Sequence, residues 1–210
     1  MAQETIHVVE HRIAGLFPMV KSFIAEGDDL VLIDTGLNSG SARNIEKELG
    51  GLNHRLSDVD LCIITHAHRD HVGGLKTLKS GMKPFLIASH DAEADEVEKA
   101  TGLEVDLRLV DGQLIGGFTV IYLPGHTLGS IGLLRGDTLI AGDALNGGGS
   151  DLKGPNPMFS KDRDIAEESV RSLANFNFDK VLVSHGSGIE KGGKEALLRL
   201  ITRMPESKSL

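Results

Sequence analysis

The stretch LCIITHAHRDHVGGLKTL, residues 61–78, places three histidines and an aspartate within six positions directly after an apolar run. These residues are His66, His68, Asp70 and His71. Two interpretations fit so dense a group of imidazole and carboxylate side chains: a solvated polar loop or a metal site. The rest of the chain decides between them.

The apolar run before the cluster predicts a short buried strand, and the segment after it predicts a turn into a helix. Side chains two positions apart in an extended segment point to the same side, so His66 and His68 are expected to reach one ion. Asp70 and His71 follow where the chain bends into the helix, so they are expected to face a neighbouring position. One loop therefore offers two ligand pairs for two adjacent metals.

Three further residues stand at the ends of strand-like runs, each beside a glycine: His126 in LPGHTLGS, Asp143 in IAGDAL and His185 in LVSHGSG. Apolar strands that end in this way are typical of a site built on loops over a rigid sheet. A single histidine at a strand end is more often structural, but the whole set favours a metal site. Imidazole and carboxylate ligands without thiolate suit Zn²⁺ and tolerate iron or manganese. The candidate ligands are His66, His68, Asp70, His71, His126, Asp143 and His185.

The composition predicts an ordinary globular α/β chain, with 40% hydrophobic and 25% charged residues among 210. Strand-rich blocks followed by helical material predict two sheets packed together with helices outside, in one domain over residues 1–210. The formal charge of −8 argues against a nucleic-acid partner, which needs a basic surface. The single cysteine, Cys62, lies in an apolar run and is predicted to be a buried thiol.

No apolar stretch in the sequence is long enough for a membrane span, and the first residues contain no apolar core of a signal peptide. We therefore expect a cytoplasmic protein without a membrane partner that acts on a small molecule. The sequence leaves the oligomeric state open.

With Asp34 in LIDTG before the cluster and the three strand-end residues after it, the sequence resembles the metallo-β-lactamase superfamily over residues from about 20 to 190. The resemblance implies an α/β fold, an αββα sandwich of two mixed β-sheets flanked by helices, with a dinuclear site at one edge. It also implies a role for each ligand. His66, His68 and His126 would hold one metal, Asp70, His71 and His185 the other, and Asp143 would bridge both.

An aspartate at position 143 is the pattern of glyoxalase II-like thioesterases, lactonases, ribonuclease Z-like nucleases and persulfide dioxygenases, and is not typical of true metallo-β-lactamases. The resemblance therefore predicts a zinc-dependent hydrolase with two Zn²⁺ ions, or alternatively iron or manganese, acting on a small thioester or lactone. Two ions about 3.5–4 Å apart share a water and lower its pKa, which yields the attacking hydroxide. Asp70 is the expected catalytic residue, orienting that hydroxide or passing its proton to the leaving group.

Two other functions remain open at this point. A mononuclear iron oxygenase of the persulfide dioxygenase type would use His66, His126 and Asp143, all of which are present. A phosphodiesterase or nuclease is less favoured, because the chain is acidic and has no basic inserted arm.

Asp34 is expected to stand behind the metal ligands and to accept a hydrogen bond from the loop or ring of His66. The alternative is a strand-end aspartate that caps the turn at Thr35 and Gly36. The histidines at positions 7, 11, 54 and 90 lack the context of the ligands, so they are interpreted as surface or hydrogen-bonded residues, with His90 near a helix start.

Two segments are predicted to control access to the site: residues 14–19 and the Gly/Pro-rich loop 146–159, which has no predicted structure of its own. Phe17, Met19, Met158 and Phe159 are predicted to form an apolar wall for the substrate. The alternative is that these four side chains pack at the edge of the core.

Overall fold

The computed structural model describes residues 5–12, 18–80, 85–149 and 151–205, with the main chain alone at positions 18 and 19. The chain divides into two compact units. The first consists of Met1–Val110 and Leu114–Gly117, and the second of Asp111–Gln113 and Phe118–Leu210.

The first unit contains a six-stranded mixed sheet in the order β1-β2-β3-β4-β5-β6. The first three strands are antiparallel, and β3 to β6 run parallel. The residues of β3 and β4 are all buried, as expected for central strands covered on both faces. The strands are β1 (Thr5–Arg12), β2 (Pro18–Glu26), β3 (Val31–Ile33), β4 (Leu61–Ile64), β5 (Leu86–His90) and β6 (Leu107–Leu109).

Four helices belong to the first unit: α1 (Ser39–Gly51), α2 (Arg69–Val72), α3 (Leu75–Lys79) and α4 (Asp91–Thr101). The side chain of Asn38 accepts hydrogen bonds from the first backbone N–H groups of α1, which fixes where that helix begins. Apolar residues from α1, α3 and α4 enter one core with the sheet, among them Ile45, Leu78 and Val97.

The second unit contains a five-stranded mixed sheet in the order β13-β10-β9-β8-β7, and a separate two-stranded sheet. Helices α5 (Arg163–Ser172) and α6 (Gly193–Arg203) bury Val170 and Leu197 in its core. The larger sheet consists of β7 (Leu114–Ile115), β8 (Phe118–Tyr122), β9 (Ile131–Arg135), β10 (Thr138–Ile140) and β13 (Lys180–Leu182); the hairpin consists of β11 (Asn146–Gly147) and β12 (Leu152–Lys153).

Strand direction explains where the candidate ligands lie within each unit. In the first unit, β3 and β4 are parallel, so Asp34 and His66 follow their carboxyl ends at the same sheet edge. In the second unit, β8 and β10 are both antiparallel to β9, and β13 is parallel to β10. His126, Asp143 and His185 therefore also follow strands that end at one edge.

Most predicted elements are confirmed, and two expectations need correction. Residues 146–159 are not a loop without structure, because they contain the β11–β12 hairpin. The helix after the histidine cluster begins at Arg69 and continues in two short pieces, α2 and α3. Cys62 is buried as predicted, and burial raises the pKa of its thiol.

Some predictions are not decided by the described residues. Phe17 lies outside them, as does the side chain of Met19. None of the described helices combines the length and apolar character that a membrane crossing requires. The single domain over residues 1–210 stays a prediction.

Candidate metal centre

The centre of the first unit's polar cluster is Asp34, which is fully buried and adopts a positive φ of 58°. That backbone conformation is rare for residues other than glycine and is often found at functional sites. One carboxylate oxygen accepts the backbone N–H of Thr65 at 2.8 Å. The other accepts the Thr65 hydroxyl at 2.8 Å and lies 2.7 Å from Nδ1 of His71. Asp34 thus contacts the loop before His66 as predicted, but the ring it holds is that of His71.

These contacts assign the ring protons of two candidate ligands. The Nδ1–H of His71 donates to Asp34, which places the lone pair of that ring on Nε2. The Thr65 hydroxyl donates to Asp34, so its oxygen accepts from Nδ1 of His66, 3.1 Å away. The lone pair of His66 then also lies on Nε2. A histidine that binds a metal through one ring nitrogen typically donates the N–H of the second nitrogen to an oxygen atom in this way.

His68 and Asp70 complete the cluster of the first unit. Nδ1 of His68 lies 3.1 Å from Nε2 of His66, so the spacing predicted from alternation brings these two rings together. The Asp70 carboxylate lies 4.0 Å from Nε2 of His71 and is about one-third exposed, at 35%. His68, Asp70 and His71 surround the start of α2, where the chain bends as predicted.

Glu93 is a residue of this region that the sequence patterns did not indicate. It lies in the first turn of α4, is 2% exposed, and accepts the backbone N–H of Ala67 at 2.8 Å. Ala67 stands between His66 and His68, so Glu93 fixes the peptide that separates two candidate ligands. The only signal in the sequence is an acidic residue in the first helical turn after a buried strand.

The second unit brings its three candidate ligands together around Asp143. One carboxylate oxygen of Asp143 lies 3.4 Å from Nε2 of His126 and 3.4 Å from Nε2 of His185. His126 is buried, and its Nδ1 lies 3.3 Å from the Ser160 hydroxyl. That hydroxyl donates to the carbonyl of Asn156, so its oxygen accepts from Nδ1 and the lone pair of His126 lies on Nε2.

The apolar residues predicted to form a substrate wall are described only in the second unit. Met158 is 87% exposed and Phe159 is 63% exposed, in the segment that also supplies Ser160. The alternative, that these side chains pack at the edge of the core, does not fit this exposure. Their contact with a substrate stays a prediction.

The four remaining histidines follow the predicted interpretation. His90 caps the start of α4, where Nδ1 accepts the backbone N–H of Ala92. His7 and His54 each place Nε2 against the carboxylate of Glu26, at 2.7 and 2.9 Å. His11 is buried, with Nε2 2.9 Å from the Ser22 hydroxyl. Burial lowers the pKa of His11 to about 4.

The donor set of each cluster fits divalent metal ions. Imidazole and carboxylate groups are the ligands that zinc, iron and manganese accept in proteins. In the first unit His66 and His71 present Nε2 lone pairs, and in the second His126 does the same beside a carboxylate. The carboxylate or hydroxyl partner behind each ring is the arrangement that orients metal ligands.

Comparison with known proteins gives a matching family model and several relatives. A family model described as the metallo-beta-lactamase superfamily matches residues 21–185. The uncharacterized protein YobT of Bacillus subtilis (strain 168) is 30% identical over 201 residues, which cover 82% of this chain and 84% of that protein. The probable metallo-hydrolase YflN of the same organism is 25% identical over 229 residues, with coverage of 88% and 85%.

A hydroxyacylglutathione hydrolase of Rhodopseudomonas palustris (strain BisB5) is 36% identical over 112 residues, which cover 50% of this chain and 40% of that enzyme. This similarity therefore spans less than half the length of the relative.

Solved structures show the same fold. A metallo-beta-lactamase family protein from Thermus thermophilus has a TM-score of 0.72 at 20% identity, with 94% of this chain and 78% of that chain covered. A metallo-beta-lactamase from Pontibacter korlensis has a TM-score of 0.74 at 18% identity, with 97% of each chain covered. The predicted fold class is confirmed.

Proposed function

Because the chain belongs to the metallo-β-lactamase superfamily, we propose that it is a hydrolase with a dinuclear zinc site that acts on a small thioester or lactone. The observation that supports this most is the proton assignment in the clusters. Three histidines have Nδ1 held by an oxygen atom, which leaves Nε2 as the metal-binding nitrogen. Purely structural histidines would not need that common orientation.

The ligand roles that we propose follow the family resemblance. His66, His68 and His126 would hold one ion, Asp70, His71 and His185 would hold the other, and Asp143 would contact both. When bound, the ions lower the pKa of a shared water and polarise the carbonyl oxygen of the substrate.

The protein's own residues orient the ligands and move the proton. Asp34 is buried and carries three hydrogen bonds, so it keeps the His71 ring in one tautomer. Asp70 is partly exposed and lies beside Nε2 of His71, so its carboxylate can take up the proton of the attacking water. The C–S or C–O bond would then break, and the proton held by Asp70 would pass to the departing sulfur or oxygen.

Three observations support a small carbonyl substrate. The relative described as a hydroxyacylglutathione hydrolase, which matches half of this chain, is named for thioester chemistry. The net charge of −8 provides no basic track for the successive phosphates of a nucleic acid. The exposed Met158 and Phe159 offer apolar contact area for a small molecule in the second unit.

Metal analysis and a substrate panel test this proposal. The protein should contain about two zinc ions per chain and hydrolyse small lactones or thioesters without cleaving RNA or DNA. Asp143→Ala should lose at least one ion and nearly all activity, because it removes the carboxylate between His126 and His185. Asp164→Ala, at an exposed acidic position in the first turn of α5, is the matched control.

Three results would contradict the proposal. A single iron per chain would favour the oxygenase. Salt-sensitive nuclease activity without ester hydrolysis would favour a nuclease. An Asp143→Ala variant with both metals and normal turnover would show that this residue has another role.

A further inference from the structure

The β11–β12 hairpin begins three residues after Asp143 and is fixed to the second unit at its tip and at its base. Asn146 pairs with Lys153 and Gly147 with Leu152, and the turn is closed by a bond from Gly148 N–H to the carbonyl of Asp151. Leu152 is buried in the core that also contains residues of α6. The hairpin therefore lies on the same core as the last helix.

The base of the hairpin contacts the backbone of a proposed metal ligand. The N–H of Gly147 donates to the carbonyl of His185 at 2.8 Å. A side chain at Gly147 would overlap the backbone of Ser187, and one at Gly186 would overlap the carbonyl of Gly147. The hairpin at Gly147 and the backbone of residues 185–187 are therefore in direct contact. A shift of the hairpin would move residues 185–187 with it.

His185 is the most exposed of the three candidate ligands in the second unit. Its side chain is 29% exposed, against 1% for His126 and 12% for Asp143. It lies three residues beyond the end of β13, and the hydrogen bond from Gly147 restrains the backbone there.

The tip of the hairpin is tied to α6 by charge. Nη1 of Arg203 lies 2.6 Å from one carboxylate oxygen of Asp151, and Nη2 of Arg199 lies 3.6 Å from the other. The two arginines are one turn apart on the same face of the helix. Asp151 also accepts the backbone N–H of Leu152, so its carboxylate is oriented by its own hairpin.

We propose that Asp151 is a positioning residue: its ion pair with Arg203 fastens the hairpin to α6 and thereby holds His185 in place for the second metal ion. This inference rests on the proposed function, because it assigns His185 to a metal site. The hairpin also lines a cavity of about 420 Å³ together with His185 and Gly186, so the same ion pair fixes one wall of that cavity.

The variants Asp151→Asn and Arg203→Gln test this role, with Asp95→Asn as the matched control. Asp95 forms an ion pair of 2.6 Å with Arg108 in the first unit. Exposed ion pairs contribute little free energy. We therefore expect the hydrogen-exchange rate of the hairpin and the dissociation constant of one Co²⁺ ion to rise about 2- to 5-fold in each hairpin variant, with no change in the control. The charge swap, Asp151→Arg with Arg203→Asp, should restore at least half of the loss.

Two measurements read out the effect. Hydrogen exchange on the metal-free protein should show faster exchange at residues 146–149 in both single variants, with unchanged exchange in β9. Titration with Co²⁺, followed by its visible absorption, should show weaker binding of one equivalent, and the other equivalent should bind as in the wild type.

The inference is overturned if Asp151→Asn leaves exchange at the hairpin unchanged, or if Asp95→Asn accelerates it equally. It is also overturned if both Co²⁺ equivalents weaken together and the charge swap restores neither. Failure of the proposed function would give a different result. A wild-type protein that binds fewer than two Co²⁺ ions would refute the dinuclear site. Hydrogen exchange would still decide whether the ion pair holds the hairpin.

Discussion

The sheet of the first unit carries a histidine–carboxylate cluster at each end, and the two clusters are built differently. At the carboxyl ends of β3 and β4, Asp34 is fully buried and faces His71. At the opposite end, Glu26 at the close of β2 lies between His7 and His54, and all three side chains are 24–32% exposed. The residue types are nearly the same, but only one cluster has the form of a metal site.

The difference lies in which ring nitrogen meets the carboxylate. Asp34 occupies Nδ1 of His71, so Nε2 points away from it toward Asp70. Glu26 instead meets Nε2 of both His7 and His54, so the two rings converge on the carboxylate itself. A carboxylate that contacts Nδ1 orients the ring and leaves Nε2 for a metal ion. A carboxylate that contacts Nε2 of two rings takes the place that a metal ion would have. Burial then decides how much each contact contributes to stability.

Asp34→Ala should have the largest effect, because it leaves the N–H and hydroxyl of Thr65 and the Nδ1–H of His71 buried without their acceptor. Each buried donor left without an acceptor typically costs about 1–3 kcal/mol, so the loss of this acceptor for three donors should cost at least about 3 kcal/mol. Metal affinity should fall about 10- to 100-fold, as for other partners of ligating histidines. Urea unfolding of the metal-free protein and zinc titration measure the two effects.

Asp34→Asn distinguishes the orientation of the His71 ring from the stability of the fold. It keeps the size of the side chain and one acceptor oxygen, so it should retain the fold and some metal but work poorly. Glu26→Gln is the control from the opposite end of the sheet and should bind zinc as the wild type does. Equal losses of zinc affinity in the two variants would show that the buried cluster has no special role.

The positions of the candidate ligands within each unit could be predicted from the sequence because they depend on local rules. Alternation places His66 and His68 together, and parallel strands place their end residues at one edge. The contacts behind the ligands could not be predicted in this way. Asp34 meets a ring 37 positions later, and Glu93 meets a peptide 26 positions earlier, so both depend on how the strands and α4 align.

The hairpin was missed, whereas His11 was predicted only as a surface or hydrogen-bonded residue, with its burial left open. Residues 146–153 contain three consecutive glycines and too few apolar residues to show strand alternation, so they resemble an unstructured loop. The burial of His11 was present in the pattern of β1, where Val9 and His11 share the inward face. His11 is the hydrogen-bonded case of that prediction, because its Nε2 lies 2.9 Å from the Ser22 hydroxyl.

His11 provides the second largest expected effect, because its ring is buried and its side-chain partner among the described residues is the Ser22 hydroxyl. Its pKa of about 4 lies below the ordinary 6.5, so the unfolded chain binds the proton more readily. The free energy of unfolding is therefore unaffected by this ring above pH 6.5, where it is neutral in both states. It falls by about 3 kcal/mol as the pH drops from 6.5 to about 4, because the unfolded chain takes up the proton first. Unfolding of wild type and His11→Gln in urea across this range, with a chelator present, measures it. Parallel curves for the two proteins would contradict the prediction.

Glu93→Ala should have an intermediate effect on stability. It removes the acceptor for the N–H of Ala67 in a buried place, which costs about 1–3 kcal/mol. Because that peptide separates His66 and His68, zinc affinity should fall as well. The control is Glu96→Ala on the same helix, whose side chain is exposed and lies 3.7 Å from the ammonium group of Lys99. If Glu96→Ala weakens zinc binding as much, the helix as a whole and not the Glu93 contact is responsible.

Glu26→Gln should have the smallest effect, because the cluster at that end is partly exposed. The hydrogen bonds from His54 and then His7 hold the pKa of Glu26 below its ordinary value of 4.5. A lowered carboxyl pKa stabilises the fold above pH 4.5, and this contribution is lost as the pH falls below that value. Solvent screening limits this contribution to about 0.2–1 kcal/mol.

The difference in unfolding free energy between wild type and Glu26→Gln should therefore be small at pH 7, shrink at about pH 3 and decrease in about 1 M salt. A loss of several kcal/mol that salt does not change would mean that this cluster is as isolated from solvent as the one around Asp34.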